Sequence, residues 1–153
     1  MINDIVLKIK RVTETAKLPT KAHPTDACFD LYCDEDIKEG DKYIVIPARE
    51  SVILHTGIQT EIPVGYFAPV FSRSGMGFKQ DIRLANCVGV IDADYRGEWM
   101  VKLVNDSNEP RIIQSGDKIA QFTILPVLDI QLEEVDELET TERGTGGFGS
   151  TGK

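Results

Sequence analysis

The run RGTGGFGSTG at residues 143–152 gathers one arginine, three hydroxyl side chains, one phenylalanine and five of the chain's 13 glycines. These residue types suit a polyphosphate. Glycines let the backbone approach an anion with its N–H groups turned inward, hydroxyls add donors, and a guanidinium presents a planar fork to phosphate oxygens. A Walker-type loop needs a lysine after the glycines and then a helix, and only Lys153 follows here. The expectation is therefore an arm that closes over a ligand. Glycine-rich composition also fits a plain flexible tail, against which Arg143 and Phe148 weigh.

Four other runs carry groups of chemical interest. GVIDADYRG at 89–97 sets Asp92, Asp94, Tyr95 and Arg96 between two apolar segments; Asp, Ala and Asp between strands are also ordinary hairpin-turn chemistry. FSRSG at 71–75 joins the guanidinium of Arg73 to the hydroxyl of Ser74 and the small Gly75, and at the start of a helix such a set makes an anion site. ACFDLY at 27–32 holds Asp30 in an otherwise apolar strand, where a carboxylate either faces water or is reserved for a cation. GDKIAQF at 116–122 carries Gln121 in an apolar stretch; a buried amide there needs a partner, which water, backbone or substrate can supply.

The elements that must position these groups are strands. Segments rich in β-branched and aromatic residues occur at 5–12, 43–46, 51–55, 58–62, 66–71, 87–91, 98–105 and 118–125, separated by Gly, Pro, Asp and Asn. Ile5, Leu7 and Ile9 share one face of their segment, as do Val101, Leu103 and Asn105 of theirs. The pattern predicts an all-β chain packed as a barrel or jelly roll, with one helical turn at 74–80 capped by Ser74. The run EEVDELETTE at 133–142 is acidic and reads as a solvated tether. This divides a β-domain, residues 1–132, from a tether and arm, residues 133–153, within one domain.

At 153 residues and 41% hydrophobic content the chain is one domain with a real core. Its net charge of −8 excludes tracking along nucleic acid, which needs a basic face. Cys28, Cys33 and Cys87 match no zinc spacing, and they are expected as reduced thiols in a cytoplasmic compartment. The N-terminal residues lack the apolar core of a signal peptide, and no apolar run approaches membrane-spanning length.

Taken in order, ACFDLY, SRSG, GVIDADYRG, GDKIAQF and RGTGGFGSTG resemble the five motifs of the trimeric deoxyuridine triphosphate nucleotidohydrolases, the dUTPases. The likeness runs from Ala27 almost to the last residue. Cys28 and Phe29 stand where that family has Gly and Tyr, and Ser72 stands where it has Pro. The resemblance implies a β-jelly roll of the dUTPase-like β-clip type with a flexible Gly-rich C-terminal arm, a homotrimer with shared sites, and Mg²⁺-assisted hydrolysis of dUTP to dUMP and pyrophosphate.

It implies the residue roles as well. Asp92 would activate the water that attacks the α-phosphorus, and Asp30 would hold Mg²⁺ through water. Asn86 and the backbone after it would read uracil, with Gly89 allowing close approach and the Tyr95 ring excluding a 2′-hydroxyl. Arg73, Ser74, Gly75 and Gln121 would hold the triphosphate. On the arm, Arg143, Gly149, Ser150 and Thr151 would meet the γ-phosphate while Phe148 stacks on the base. Arg96 has no firm role beyond positioning its turn. Two rivals stay open: a dCTP deaminase on the same fold, and a nucleotide-binding trimer that acts through a protein partner.

Overall fold

A computed structural model describes residues 5–35 and 43–150. Its described residues form twelve strands and one helix. In chain order these are β1 (Lys8–Arg11), β2 (Phe29–Tyr32), β3 (Ile44–Ile46), β4 (Ser51–His55), β5 (Ile58–Glu61), β6 (Tyr66–Phe71), α1 (Ser74–Gln80), β7 (Ile82–Leu84), β8 (Val88–Ile91), β9 (Met100–Asn105), β10 (Arg111–Ile113), β11 (Lys118–Phe122) and β12 (Leu125–Pro126). Every pairing is antiparallel.

The largest sheet has the order β12-β6-β11-β2, with β8 on the other edge of β6. A second sheet has the order β4-β9-β7, and β1-β5 and β10-β3 form two-stranded ribbons; one buried cluster draws side chains from all of them, Leu31, Leu54, Ile58 and Ile113 included. Alternation explains why the two sheets pack together. Val101, Leu103 and Asn105 of β9 are buried while the alternating Met100 and Lys102 are exposed and Val104 is half-buried, so one face turns inward. Trp99 and Phe122 meet edge to face at the centre, with ring centroids 4.9 Å apart, among Leu31, Leu54, Ile82, Leu103 and Ile119.

Pro69 lies inside β6, where a missing N–H would break the ladder on the edge it faces. β11 pairs with Val70 and Phe71 of β6, and β12 pairs with Tyr66 and Phe67. The proline therefore falls in the gap where one neighbour ends and the next begins.

The structure corrects two expectations. The run 89–97 is not a hairpin turn, because β8 pairs with β6 and β9 pairs with β4 and β7; residues 92–99 are a crossover between sheets. Arg73, not Ser74, is the N-cap of α1, in extended conformation and without a side-chain cap bond. The Ser72 hydroxyl is engaged instead with β7, accepting from the Leu84 N–H at 2.9 Å. The strand expected around Asp30 is β2, whereas β7 and β10 lie outside the segments expected as strands. These two are three residues long and carry an exposed and a half-buried arginine that blunt the apolar signal.

Asn105 is a fully buried amide whose Nδ2 donates to the carbonyls of Ile46, Pro47 and Glu109, the shortest bond being 2.7 Å. Its Oδ1 accepts from Ser107 N and Oγ. It thereby ties the end of β9 to the end of β3. Asn105→Leu leaves these carbonyls and donors unpaired, so urea denaturation should report a loss of about 3 kcal/mol. An unchanged midpoint would mean that water replaces the amide without cost.

Candidate functional site

Strand pairing, rather than nearness in sequence, brings the candidate residues together. Gln121 on β11 stands opposite Asp30 of β2 on one side and Phe71 of β6 on the other, so the three share one face of the sheet. A register irregularity between Lys118 and Ala120 bends β11 at this point. Arg73 leaves the end of β6 toward the same spot. Its Nε donates to Asp30 Oδ1 at 3.0 Å, and Lys118 Nζ lies 2.6 Å from Asp30 Oδ2. Gln121 Nε2 donates to Ser72 O at 3.0 Å.

The result is a carboxylate that is nearly buried between a guanidinium and an ammonium, a cluster of net charge +1. The hydrogen bond to Asp30 and its negative charge hold the Lys118 ammonium above the usual lysine range, against burial and the Arg73 charge. Next to the cluster, Ser74 and Gly75 open α1 on the exposed surface, and first-turn N–H groups have no acceptor within their own helix. Arg73 and Lys118 also line a cavity of about 380 Å³ with Tyr32 and Gly116, and a cationic cleft of this kind attracts polyanions.

Asn86 and Gly89 flank the start of β8. A side chain at Gly89 would crowd Val70 Cβ at 3.2 Å, and glycine leaves this stretch of backbone uncovered. Asn86 O accepts from Val88 N at 2.6 Å, and Cys87 between them has φ +61. A cavity of about 390 Å³ opens beside this turn, bordered by Leu84, Asn86, Gly89, Val90, Trp99 and Met100.

Asp92 and Tyr95 lie elsewhere. Val88 pairs with Phe71 and Ile91 with Ala68, so Asp92 follows the far end of β8, roughly 14 Å along the strand from the Arg73 end. Asp92 is exposed, and no side-chain hydrogen bond or ion pair engages its carboxylate among the described residues. Tyr95 donates through its hydroxyl to Glu98 O at 2.9 Å. Arg96 caps the carbonyls of Ala93 and Tyr95, which ties the crossover to itself.

The arm stands apart from both groups. Arg143 Nε donates to Gly146 O at 2.9 Å, Ser150 N donates to Gly147 O at 2.8 Å, and Phe148 is fully exposed. Thr151 lies outside the described residues. The last hydrogen bond from this segment to the body is Val127 N to Gly65 O at 2.8 Å. Beyond it Leu128, Ile130 and Leu132 alternate along an exposed stretch, Leu132 at 93%.

One chain thus brings together Asp30, Arg73 and Gln121, with Ser74 and Gly75 beside them; it does not bring Asp92, Tyr95 or the arm to that cluster. Lys118 and Ser72 were missed as functional residues. GDKIAQF contained the lysine, but only the register of β11 against β2 reveals its partner.

For a divalent metal the donor set offers one carboxylate, Asp30, already engaged by two cations. No group of three or more His, Cys, Asp or Glu could hold an ion among the described residues. Asp30 could meet a hydrated Mg²⁺ only through the water of its hydration shell.

Fold and cleft together define a β-jelly-roll protein with a cationic site for a polyanion. A family model described as dUTPase matches residues 14–152. The deoxyuridine 5′-triphosphate nucleotidohydrolase of Clostridium acetobutylicum is 45% identical over 146 residues, spanning 95% of this chain and 96% of its own. That of Nautilia profundicola is 44% identical over 96% and 99% of the two chains. Among solved structures, the dUTPase of Staphylococcus bacteriophage 80alpha with dUPNHPP matches with TM-score 0.84 and 27% identity over 97% of this chain and 99% of that one. A mutant dUTPase of phage phi11 of S. aureus, described with a structural Mg(II) ion, matches with TM-score 0.74 and 25% identity over 86% and 97%. This chain belongs to the dUTPase family.

Asp30→Asn can accept a hydrogen bond from only one of its two cationic partners and leaves both without a counter-charge. Its urea midpoint should fall, and its affinity for a triphosphate should change through a displaced Arg73. If the midpoint and affinity both match the parent, the Asp30 pairs are not formed in solution.

Proposed function

We propose that the chain is a dUTP diphosphatase, which hydrolyses dUTP to dUMP and pyrophosphate in nucleotide metabolism and so limits uracil in DNA. The observation that carries this reading is the coexistence of a cationic cleft with an exposed, unengaged carboxylate, Asp92, on a chain alike to dUTPases over nearly its whole length.

In this reading Arg73, Ser74, Gly75 and Gln121 bind the triphosphate, helped by Lys118. Asp92 takes a proton from water as the water oxygen bonds to the α-phosphorus; the bond to the α,β-bridging oxygen breaks, and pyrophosphate leaves with that electron pair. Asp30 would hold a hydrated Mg²⁺ through water beside the phosphates, and the ion would supply charge neutralisation there. The bare backbone from Asn86 to Gly89 meets uracil by hydrogen bonds, and a mismatched cytosine would bury donor against donor. The Tyr95 ring lies against the deoxyribose and leaves no room for a 2′-hydroxyl. Arg143, Gly149, Ser150 and Thr151 close on the γ-phosphate, with Phe148 stacked on the base.

The wide separation of Asp92 from Arg73 within one chain supports a homotrimer whose sites draw on several copies. The exposed Leu128, Ile130 and Leu132 support it too, since such a stripe needs cover. We keep the division into a β-domain, residues 1–132, and a tether with arm, residues 133–153. A reducing, cytoplasmic setting is supported by three unpaired cysteines. Burial pushes the Cys33 thiol up to about 12, which leaves it inert. No helix among the described residues is long and apolar enough to cross a membrane.

Pyrophosphate release should be fastest by far from dUTP, set against UTP, dCTP and dTTP. Asp92→Asn keeps the shape of the side chain but cannot take a proton, so kcat should fall by about 10³-fold with KM changed only a few-fold. Turnover near the parent value in that variant would remove Asp92 from the mechanism; ammonia release from dCTP would point to a deaminase.

A further inference from the structure

β4 ends at His55, and the residues that follow it are stitched to the crossover that carries Tyr95. His55 Nδ1 lies 2.9 Å from Glu98 Oε2, and Gly57 N donates to Glu98 Oε1 at 2.8 Å. Thr56 Oγ1 donates to Trp99 O at 2.6 Å, and Trp99 N donates to Ile58 O at 2.9 Å. Gly57 has φ +65, and a Cβ there would run into Asp34 and Ala16, so the turn that offers its N–H to Glu98 is reserved for glycine. Glu98 passes the constraint on: its backbone carbonyl accepts the Tyr95 hydroxyl at 2.9 Å. The ring packs so closely over Gly97 that no Cβ fits there.

We propose that His55 is a positioning residue for sugar selection: its imidazolium holds the Glu98 carboxylate, Glu98 holds the Tyr95 hydroxyl, and protonation of His55 thereby sets how sharply the enzyme separates dUTP from UTP. This rests on the reading of Tyr95 as the group that meets the sugar.

Three carboxyl groups face His55. Glu98 comes from the crossover, Glu35 accepts the His55 N–H at 2.6 Å, and Asp34 donates its own N–H to the His55 carbonyl at 2.9 Å. Asp34 is buried and bonded to Thr13. The hydrogen bond to Glu98, opposed by burial, and then the charges of Glu98, Glu35 and Asp34 hold the imidazole pKa above its ordinary value. A charge-assisted bond is roughly twice as strong as a neutral one. The clamp is therefore tight below about pH 6.5, the ordinary histidine value, and slackens as pH rises through the higher folded value. The stability it contributes follows the same course, present at low pH and lost as His55 deprotonates.

The test compares dUTP with UTP by the ratio of their kcat/KM values from about pH 6 to about pH 9. Both substrates use the same acid, base and phosphate groups, so other titrations cancel in the ratio. In the parent enzyme the ratio should fall about three- to ten-fold across this range. His55→Asn puts an uncharged donor near the Nδ1 position and should give a ratio independent of pH. His55→Ala should give a low ratio at every pH, mainly through a raised dUTP KM. Where His55→Ala fails to fold, His55→Asn and Glu98→Gln carry the test, the latter also flattening the pH response.

The proposal is overturned if His55→Ala or His55→Asn keeps the parent ratio and its slope. Tyr95→Ala separates the two levels of failure. If Tyr95→Ala collapses the ratio and His55→Ala does not, the clamp alone is wrong; if Tyr95→Ala leaves the ratio unchanged, the reading of Tyr95 falls and the clamp with it.

Discussion

Backbone pairing along both edges of β6 decides where each chemical group stands. On one edge β11 fixes Gln121 beside Phe71 and carries Asp30 of β2 on its far side. On the other, β8 fixes Gly89 against Val70 and delivers Asp92 past the opposite end. A slip of one residue in either ladder would turn the polar set into the core and the core into water. Ala68 and Val70, both buried, resist that slip. Pro69 adds a further constraint, because its missing N–H is harmless only at the junction between β11 and β12.

The same strand also separates two chemistries. Arg73, Lys118 and Asp30 form a cationic cluster at one end, suited to phosphate oxygens, while Asp92 waits at the other without a partner. Keeping them apart leaves the Asp92 carboxylate unpaired with those cations, and in the proposed function one copy alone is not a complete site. The proposed trimer resolves this by bringing one copy's crossover to another's cleft. Residues 127–150 fit the same picture, since their exposed apolar stripe and their arm have little to hold them on their own body.

Strand order, and not local composition, marks the limit of what the sequence told. Long alternating segments such as 51–55 and 98–105 were legible as strands because one face of each is apolar. β7 was not, because Arg83 in its middle faces outward to Asp106. Asp30 and Gln121 were legible as polar groups in apolar runs, but their adjacency depends on a β2–β11 register that no local signal encodes. The hairpin expected at 89–97 failed for the same reason: turn chemistry predicts a reversal of the chain, and the strands on either side joined different sheets. His55 and Glu98 carried no motif at all and emerge only from the packing of β4 against the crossover.

In the proposed function the arm and the body form one site that closes only on a triphosphate. Phe148→Trp places a reporter on the arm, with the signal of the parent's single tryptophan, Trp99, subtracted. On adding a non-hydrolysable dUTP analogue with Mg²⁺, the emission of the new tryptophan should shift or quench as its ring stacks on the base, and dUMP should give a weaker response because it has no γ-phosphate for Arg143 and Ser150 to hold. Equal responses to the two nucleotides, or none to either, would contradict the account and leave residues 143–152 as a plain tail.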